Sequence, residues 1–360
     1  MRWISRGGLP AASIGATAWG LCMACGLLAA TGPADVRTTH VLSTSGDRFI
    51  LDGKPFEMWG IRVASATKDT AVARHLIAQL DDYKAHGVSA VTVFYSGSSA
   101  GYWDPFTADG RQIDAGHRQR MDEIIRQCDQ RGMVVIAGIF YQRVAYGLKD
   151  AQAVQNAVRS VARALKPSRN VIINIANEQN SGRYAKLGGS VDLRDPNTIG
   201  ALCKVVHEED PERLVGSGGY DHRANKIIGC LPDVNVLLFD TAGPNPDSGN
   251  LFDEFVAAGV KGKPIVNVET FGAWTIQQGK PGVFTNDLKK AYMHEVDVKL
   301  PRQGLSVFFH NNPWCQGPST GNEIRYDLAG QGTADAPGIR WYFEYVRDKR
   351  RQADSATTDR

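Results

Sequence analysis

Short apolar runs alternate with longer amphipathic stretches through most of the chain. Val88 to Tyr95, Met133 to Tyr141, Val171 to Asn177, Arg213 to Ser217, Val234 to Phe239, Pro264 to Glu269 and Gly304 to His310 are too short for helices. They are rich in Val, Ile and Phe, so each reads as a buried strand. The stretches between them read as helices. Ala71 to His86 puts Leu76, Ile77, Leu80 and Tyr83 on one face and stops at Gly87; others follow at 117–131, 150–166, 195–209, 222–230, 250–259, 284–297 and 338–350. Ahead of them, R-F-I-L-D-G-K-P-F-E-M-W-G from Arg48 sets two apolar runs around Asp52-Gly53, a strong hairpin signal. The second run, Phe56 to Ile61, continues into the first strand of a larger sheet.

Eight strands, each followed by a helix, imply a parallel sheet, and eight such units close into an α/β fold, a (β/α)8 TIM barrel with an N-terminal β-hairpin, over residues 48–351. Residues 35–47 read as a polar linker and 352–360 as a disordered tail. No G-x-G-x-x-G follows the first strand, which argues against a dinucleotide fold.

Composition adds little to this frame except at the amino terminus. The 360 residues are 42% hydrophobic and 22% charged, ordinary for a globular core, and a net charge of +3 gives no reason to expect a nucleic-acid partner. Residues 1–34 differ in kind. Arg2 and Arg6 precede an uncharged stretch from Leu9 to Thr31, and small residues follow at Ala29, Ala30, Gly32 and Ala34. This is the pattern of a secretory signal peptide, or of an uncleaved N-terminal membrane anchor; either implies a secreted, periplasmic or membrane-anchored protein. Beyond residue 34 the cysteines are Cys128, Cys203, Cys230 and Cys315, whose spacing matches no zinc pattern. Disulfides, with Cys203 and Cys230 the first pair to consider, and buried free thiols both fit.

Candidate chemistry lies at two strand ends. N-V-I-I-N-I-A-N-E-Q-N places Asn177-Glu178 after the fourth strand, and P-I-V-N-V-E places Glu269 at the end of the seventh. Catalytic groups of such barrels sit at the carboxyl ends of the strands. The two glutamates are therefore a candidate catalytic pair, or else two groups salt-bridged at the top of the barrel. No H-x-H or H-x-x-x-H pair ends a strand, so no metal is expected.

Three segments, R-F-I-L-D-G-K-P-F-E-M-W-G, N-I-A-N-E-Q-N and P-I-V-N-V-E-T-F-G-A, resemble motifs of the clan A glycoside hydrolases, above all the cellulase-like family 5 and its relatives. The resemblance covers residues 48–350. It implies a retaining glycoside hydrolase acting without cofactor on a poly- or oligosaccharide, with Glu178 as acid/base, Glu269 as nucleophile and Asn177 on the substrate's 2-hydroxyl. It further suggests Trp314, after the eighth strand, as a sugar platform. Trp274 is a second platform candidate, or plain packing. Arg62, just past the first strand, either steers the nucleophile or makes a surface ion pair. Tyr95, Tyr141 and His310 end strands two, three and eight, and His222 follows strand five; each faces the cleft or is a satisfied polar residue of the fold. Tyr102-Trp103 contacts a distal sugar or pins its loop. Three departures from the family pattern stand out. The second strand lacks an arginine, Gln179 replaces the proline after Asn-Glu, and the sixth strand ends in Phe239-Asp240-Thr241 where His or Tyr is usual. The alternative is a catalytically silent barrel that binds carbohydrate; two strand-end carboxylates argue against it, because binding alone does not require them.

Overall fold

The computed structural model describes residues 38–98, 101–243, 246–272, 280–317 and 324–358. The expected signal segment, residues 1–34, lies outside them. Eight parallel strands close into a barrel: β4 (Trp59–Arg62), β5 (Ala90–Phe94), β8 (Val134–Phe140), β9 (Val171–Ala176), β10 (Leu214–Ser217), β11 (Val236–Asp240), β12 (Ile265–Glu269) and β13 (Leu305–Phe309). Each pairs with the next in chain order and β13 pairs with β4, so β9 and β12 are the fourth and seventh staves. The helices are α1 (Thr70–Ala85), α2 (Ala115–Asp129), α3 (Ala151–Leu165), α4 (Pro196–Glu209), α5 (His222–Cys230), α6 (Ser248–Ala257), α7 (Asn286–Lys299) and α8 (Arg340–Thr358). None of the described helices is long and apolar enough to cross a membrane.

Alternation along the strands builds two cores. Ala90, Val134, Ile136, Ile172, Leu214, Val236, Leu238, Val266 and Phe308 fill the barrel, while Val91, Val93, Val135, Ala137, Ile173, Leu237 and Val307 pack under the helices. Two inward glycines make room for aromatic rings on neighbouring strands. A Cβ on Gly60 would sit 2.2 Å from the Phe308 ring, and one on Gly138 would sit 2.1 Å from that of Phe94. Helix starts are fixed by side-chain caps: Asp69, Asp114, Asp150, Asp195, Asp221, Asp247 and Thr285 each accept a first-turn backbone N–H.

The expected hairpin is one half of a three-stranded antiparallel sheet, β1 (Leu42–Ser45), β2 (Arg48–Leu51) and β3 (Lys54–Phe56). Asp52 and Gly53 both take positive φ, 52° and 76°, as a type I′ turn requires. Leu42, Phe49 and Met58 join the barrel's inner core, so this sheet plugs the amino-terminal end of the barrel. β1 falls inside the stretch expected to be linker. Polar by composition, it still earns a place because Leu42 buries against the barrel floor while its backbone pairs with β2. The tail differs too, since α8 continues past Arg351 to Thr358. All four cysteines of the barrel are free thiols, with Cys128, Cys203 and Cys315 buried and Cys230 exposed, so Cys203 and Cys230 do not pair. The short β6 (Gly97–Ser98) and β7 (Gly101–Tyr102) form a separate ribbon after β5.

Candidate active site

The two glutamates meet at the carboxyl-end mouth of the barrel, and neither arrives there by regular strand geometry. On β12, Val266 and Val268 point into the barrel and Asn267 points to the helices. Simple alternation would turn Glu269 outward as well. A bulge intervenes: Phe239 is paired with Asn267 but Asp240 with Glu269, so Val268 is an extra residue and Glu269 is re-aimed inward beside Asp240. Asn267 secures the bulge. Its Oδ1 accepts the Glu269 N–H at 3.1 Å, and its Nδ2 donates to Ser248 Oγ and Thr241 Oγ1. Glu178 lies two residues past β9 with φ of 44°, the left-handed region that a side-chain-bearing residue seldom occupies. The Gln179 N–H donates to Gly218 O at 3.2 Å and the Ser181 N–H to Glu178 O at 2.8 Å, holding that turn against β10.

A string of side chains joins the pair. Gln142 Nε2 donates to Glu178 Oε2 at 2.6 Å, and Gln142 Oε1 accepts from Asn177 Nδ2 at 2.9 Å. Asn177 Oδ1 accepts from Arg62 Nη2 at 2.8 Å, and the same nitrogen lies 3.0 Å from Glu269 Oε2. Arg62 Nε reaches Gln316 Oε1 at 3.0 Å, and its guanidinium lies 5.4 Å from the centre of the Phe94 ring. His310 Nε2 is 3.8 Å from Glu269 Oε1 and 3.1 Å from Asn312 Oδ1. Gln316 and Asn312 belong to a π-helical turn, Asn312–Gln316, that follows β13.

The electrostatics separate the two glutamates. Burial, reinforced by the charge of Glu269, raises the Glu178 carboxyl to about 7, against the opposing pull of Arg62, Arg143 and the Gln142 hydrogen bond. Glu269 faces the buried Arg62 guanidinium directly. Burial lowers His310 to about 4, partly offset by Glu269, so its imidazole is neutral at ordinary pH. A third carboxyl, Asp240, is pushed well above the usual carboxylate range by burial and then by Glu269, with Arg62 opposing. Glu178, Asp240 and Glu269 each offer an oxygen within 4.8 Å of the others, the one acidic group among the described residues close enough to hold a metal ion. The cation these carboxyls already face is Arg62.

Arg62, Asn177, Glu178, Glu269 and His310 therefore converge, and Tyr141 borders them, its ring 5.7 Å from that of Phe94. Other expected site residues lie elsewhere. Tyr95 shares strand parity with Val91 and Val93 and is buried under the helices; Phe94 is the residue that faces the mouth. His222 opens α5 and packs edge-on against Phe239 and Phe255 between strand and helix. Trp314 is 2% exposed, its indole N–H bonded to Asp327 O and its ring covered by the Arg325 guanidinium at 4.9 Å, which leaves no open face for a sugar. Trp103 donates to His117 Nδ1 and packs at a tilt of 57° against that ring, pinning its loop to α2. Trp274 lies outside the described residues. Gln142, Asp240 and Gln316 were not anticipated. Asp240 carried the same signal as the glutamates, a carboxylate ending an apolar strand. Gln142 and Gln316 carried none, being single amides beyond the ends of β8 and β13. Tyr220, 46% exposed after β10, presents an open aromatic beside Asn180 and near Glu178.

No family model and no curated protein matches the chain by sequence. Solved structures do match in fold. An endo-1,4-beta-mannanase from Rhizomucor miehei superposes with a TM-score of 0.56 at 16% identity, covering 75% of this chain and 90% of that one. A beta-glucanase from Saccharophagus degradans gives 0.54 at 15%, covering 87% and 94%. A glycoside hydrolase family 5 structure from Bacteroides vulgatus gives 0.52 at 14%, covering 75% and 61%. These neighbours are glycoside hydrolases, one of them of family 5, the group that the three sequence motifs resemble; at these identities the likeness is one of fold.

Proposed function

We propose that this barrel is a retaining glycoside hydrolase acting on β-linked poly- or oligosaccharides, and that residues 1–34 direct it out of the cytoplasm. The observation that carries the reading is the pair itself: Glu178 and Glu269 have oxygens within 4.8 Å, burial raises the Glu178 carboxyl to about 7, and Glu269 is ion-paired with Arg62. Retaining enzymes hold their carboxyls about 5–5.5 Å apart, whereas inverting ones leave roughly 6.5–9.5 Å for a water between them. Glu269, its charge steadied by Arg62, attacks the anomeric carbon as Glu178 gives its proton to the departing glycosidic oxygen. A glycosyl ester on Glu269 results. Glu178, now a carboxylate, takes a proton from water as that water attacks the same carbon, and Glu269 leaves. Asn177, anchored by Gln142 and Arg62, keeps its amide plane fixed beside Glu178, where it serves the sugar's 2-hydroxyl.

A panel of polysaccharides and aryl glycosides, with the product anomer followed by NMR, tests this. Retained product is expected, with Glu178→Ala and Glu269→Ala each losing at least about 10³-fold in kcat and added azide partly restoring Glu178→Ala on an activated substrate. Inverted product refutes the mechanism. Undiminished sugar binding with no turnover of any substrate in the wild type favours the silent barrel instead.

A further inference from the structure

The two-glutamate reaction does not use Asp240, yet the fold places it deliberately. It ends β11 on the inward face shared with Leu238, opposite the bulge that turns Glu269 inward. It is 3% exposed, and neither carboxyl oxygen has a hydrogen-bond partner among the described residues. Buried polar groups are nearly always matched, so an orphaned carboxyl needs a reason. The groups that face it are Glu178 beyond β9, Glu269 on β12, Arg62 on β4, and the phenols of Tyr184 and Tyr220. Among these Arg62 alone carries positive charge; its Nη2 and Nε are committed to Glu269, Asn177 and Gln316, and its buried Nη1 bonds neither oxygen of Asp240. His310 is neutral and is turned toward Asn312 and Glu269.

An ionised Asp240 would be buried with no donor bonded to either oxygen and with two other carboxyl groups within 4.8 Å. The protonated acid has an O–H to give, and the carboxyl oxygens of its own trio lie within 4.8 Å to accept it. We propose that Asp240 is a positioning residue that works as the neutral acid, its O–H turned to the Glu269 carboxylate. This rests on Glu269 as nucleophile. The donor orients the attacking carboxylate and favours its release when the glycosyl ester breaks, and it limits the trio to the charge that Arg62 can balance. Burial and the Glu269 charge both push Asp240 toward this protonated form.

Two measurements separate this proposal from the reaction it serves. The first needs no substrate. In infrared difference spectra at about pH 8.5, above the Glu178 transition, wild type should show the C=O band of a protonated carboxyl that Asp240→Asn lacks; absence of that band overturns the proposal whether or not the enzyme turns over any sugar. The second is the pH profile of kcat/KM on an aryl glycoside. Asp240→Asn keeps a neutral donor, so its basic limb should stay within about 0.3 units of wild type and its kcat within about tenfold, while Asp240→Ala falls about 100-fold. A basic limb moved down by about a unit or more in Asp240→Asn means a negative charge has been removed beside Glu178 and refutes the neutral acid. Equal loss in both variants makes Asp240 merely a packing group and refutes it as well.

Discussion

Glu178 is protonated near neutrality because its surroundings penalise the charge, and that penalty must register in the stability of the fold. Glu178→Gln removes the ionisation and keeps the shape, with an amide oxygen still able to accept from Gln142 Nε2. The folded carboxyl titrates at about 7 against 4.5 for the free group. The native state therefore binds more protons than the unfolded chain between those values, so wild-type stability falls as pH rises through that window and is lowest above it. A shift of about 2.5 units at about 1.36 kcal/mol each sets a ceiling of about 3.4 kcal/mol. Glu178 is only partly buried, and solvent screening reduces the expected effect to about 1–3 kcal/mol. Below pH 4.5 the two proteins should unfold alike. At about pH 8 the variant should be the more stable by that amount, several degrees in Tm.

Urea melts of both proteins at the two pH values check this, with the slope of free energy against urea held common. A stability gap independent of pH, or a variant less stable at high pH, refutes the claim that the fold resists the Glu178 charge. His310 acts in the opposite sense. Its folded value of about 4 lies below the ordinary 6.5, so the unfolded chain takes up a proton that the native state refuses, and stability is lost as pH falls from 6.5 toward 4. The two windows overlap, so from about pH 4.5 to 6.5 the opposing slopes nearly cancel, and the contribution of these two groups falls away only above and below that plateau.

Arg62→Met strands a buried carboxylate and unties Asn177 and Gln316 at once; it should destabilise by about 3–5 kcal/mol in a denaturant melt and abolish measurable turnover, and Arg62→Lys, without the planar fork, should restore little of either. In the folded protein a thiol reagent should modify Cys230 and spare Cys128, Cys203 and Cys315, all three of whose buried thiols are held well above their ordinary range; peptide mapping that found Cys203 joined to Cys230 would contradict the structure.

The barrel was legible because its signals are local and repeated. Each β-branched run has parity, each helix an apolar face, and Asp52-Gly53 admits hardly any turn but the one it makes. Side-chain direction at strand ends was less legible. Tyr95 was expected in the cleft because it ends a strand, yet parity with Val91 and Val93 sends it to the helices and leaves Phe94 at the mouth. That correction was available in the sequence. The fates of Trp314 and His222 were not. A π-helical turn rotates Trp314 under Arg325, and α5 tucks His222 between Phe239 and Phe255, outcomes set by tertiary packing.

The two glutamates illustrate why regular geometry alone predicts a scaffold better than a site. Strand parity would have turned Glu269 outward, and only the extra residue Val268, tied down through Asn267, brings it in. Glu178 needs a left-handed backbone that costs a residue with a side chain about 1 kcal/mol or more. The surrounding chain offsets that cost. Gly219 admits the turn, since a Cβ there would meet Asn180 Oδ1 at 2.1 Å and the Glu178 Cα at 3.2 Å. Gln179 supplies the N–H that bonds Gly218 O. A proline at 179 would have no hydrogen to give, so the departure that looked like drift from the family pattern is the residue that fastens this turn to β10. Both carboxylates thus stand where the repeating structure is interrupted, and each interruption is held through a backbone N–H turned away from the regular ladder: that of Glu269 to the Asn267 side chain and that of Gln179 to Gly218 O.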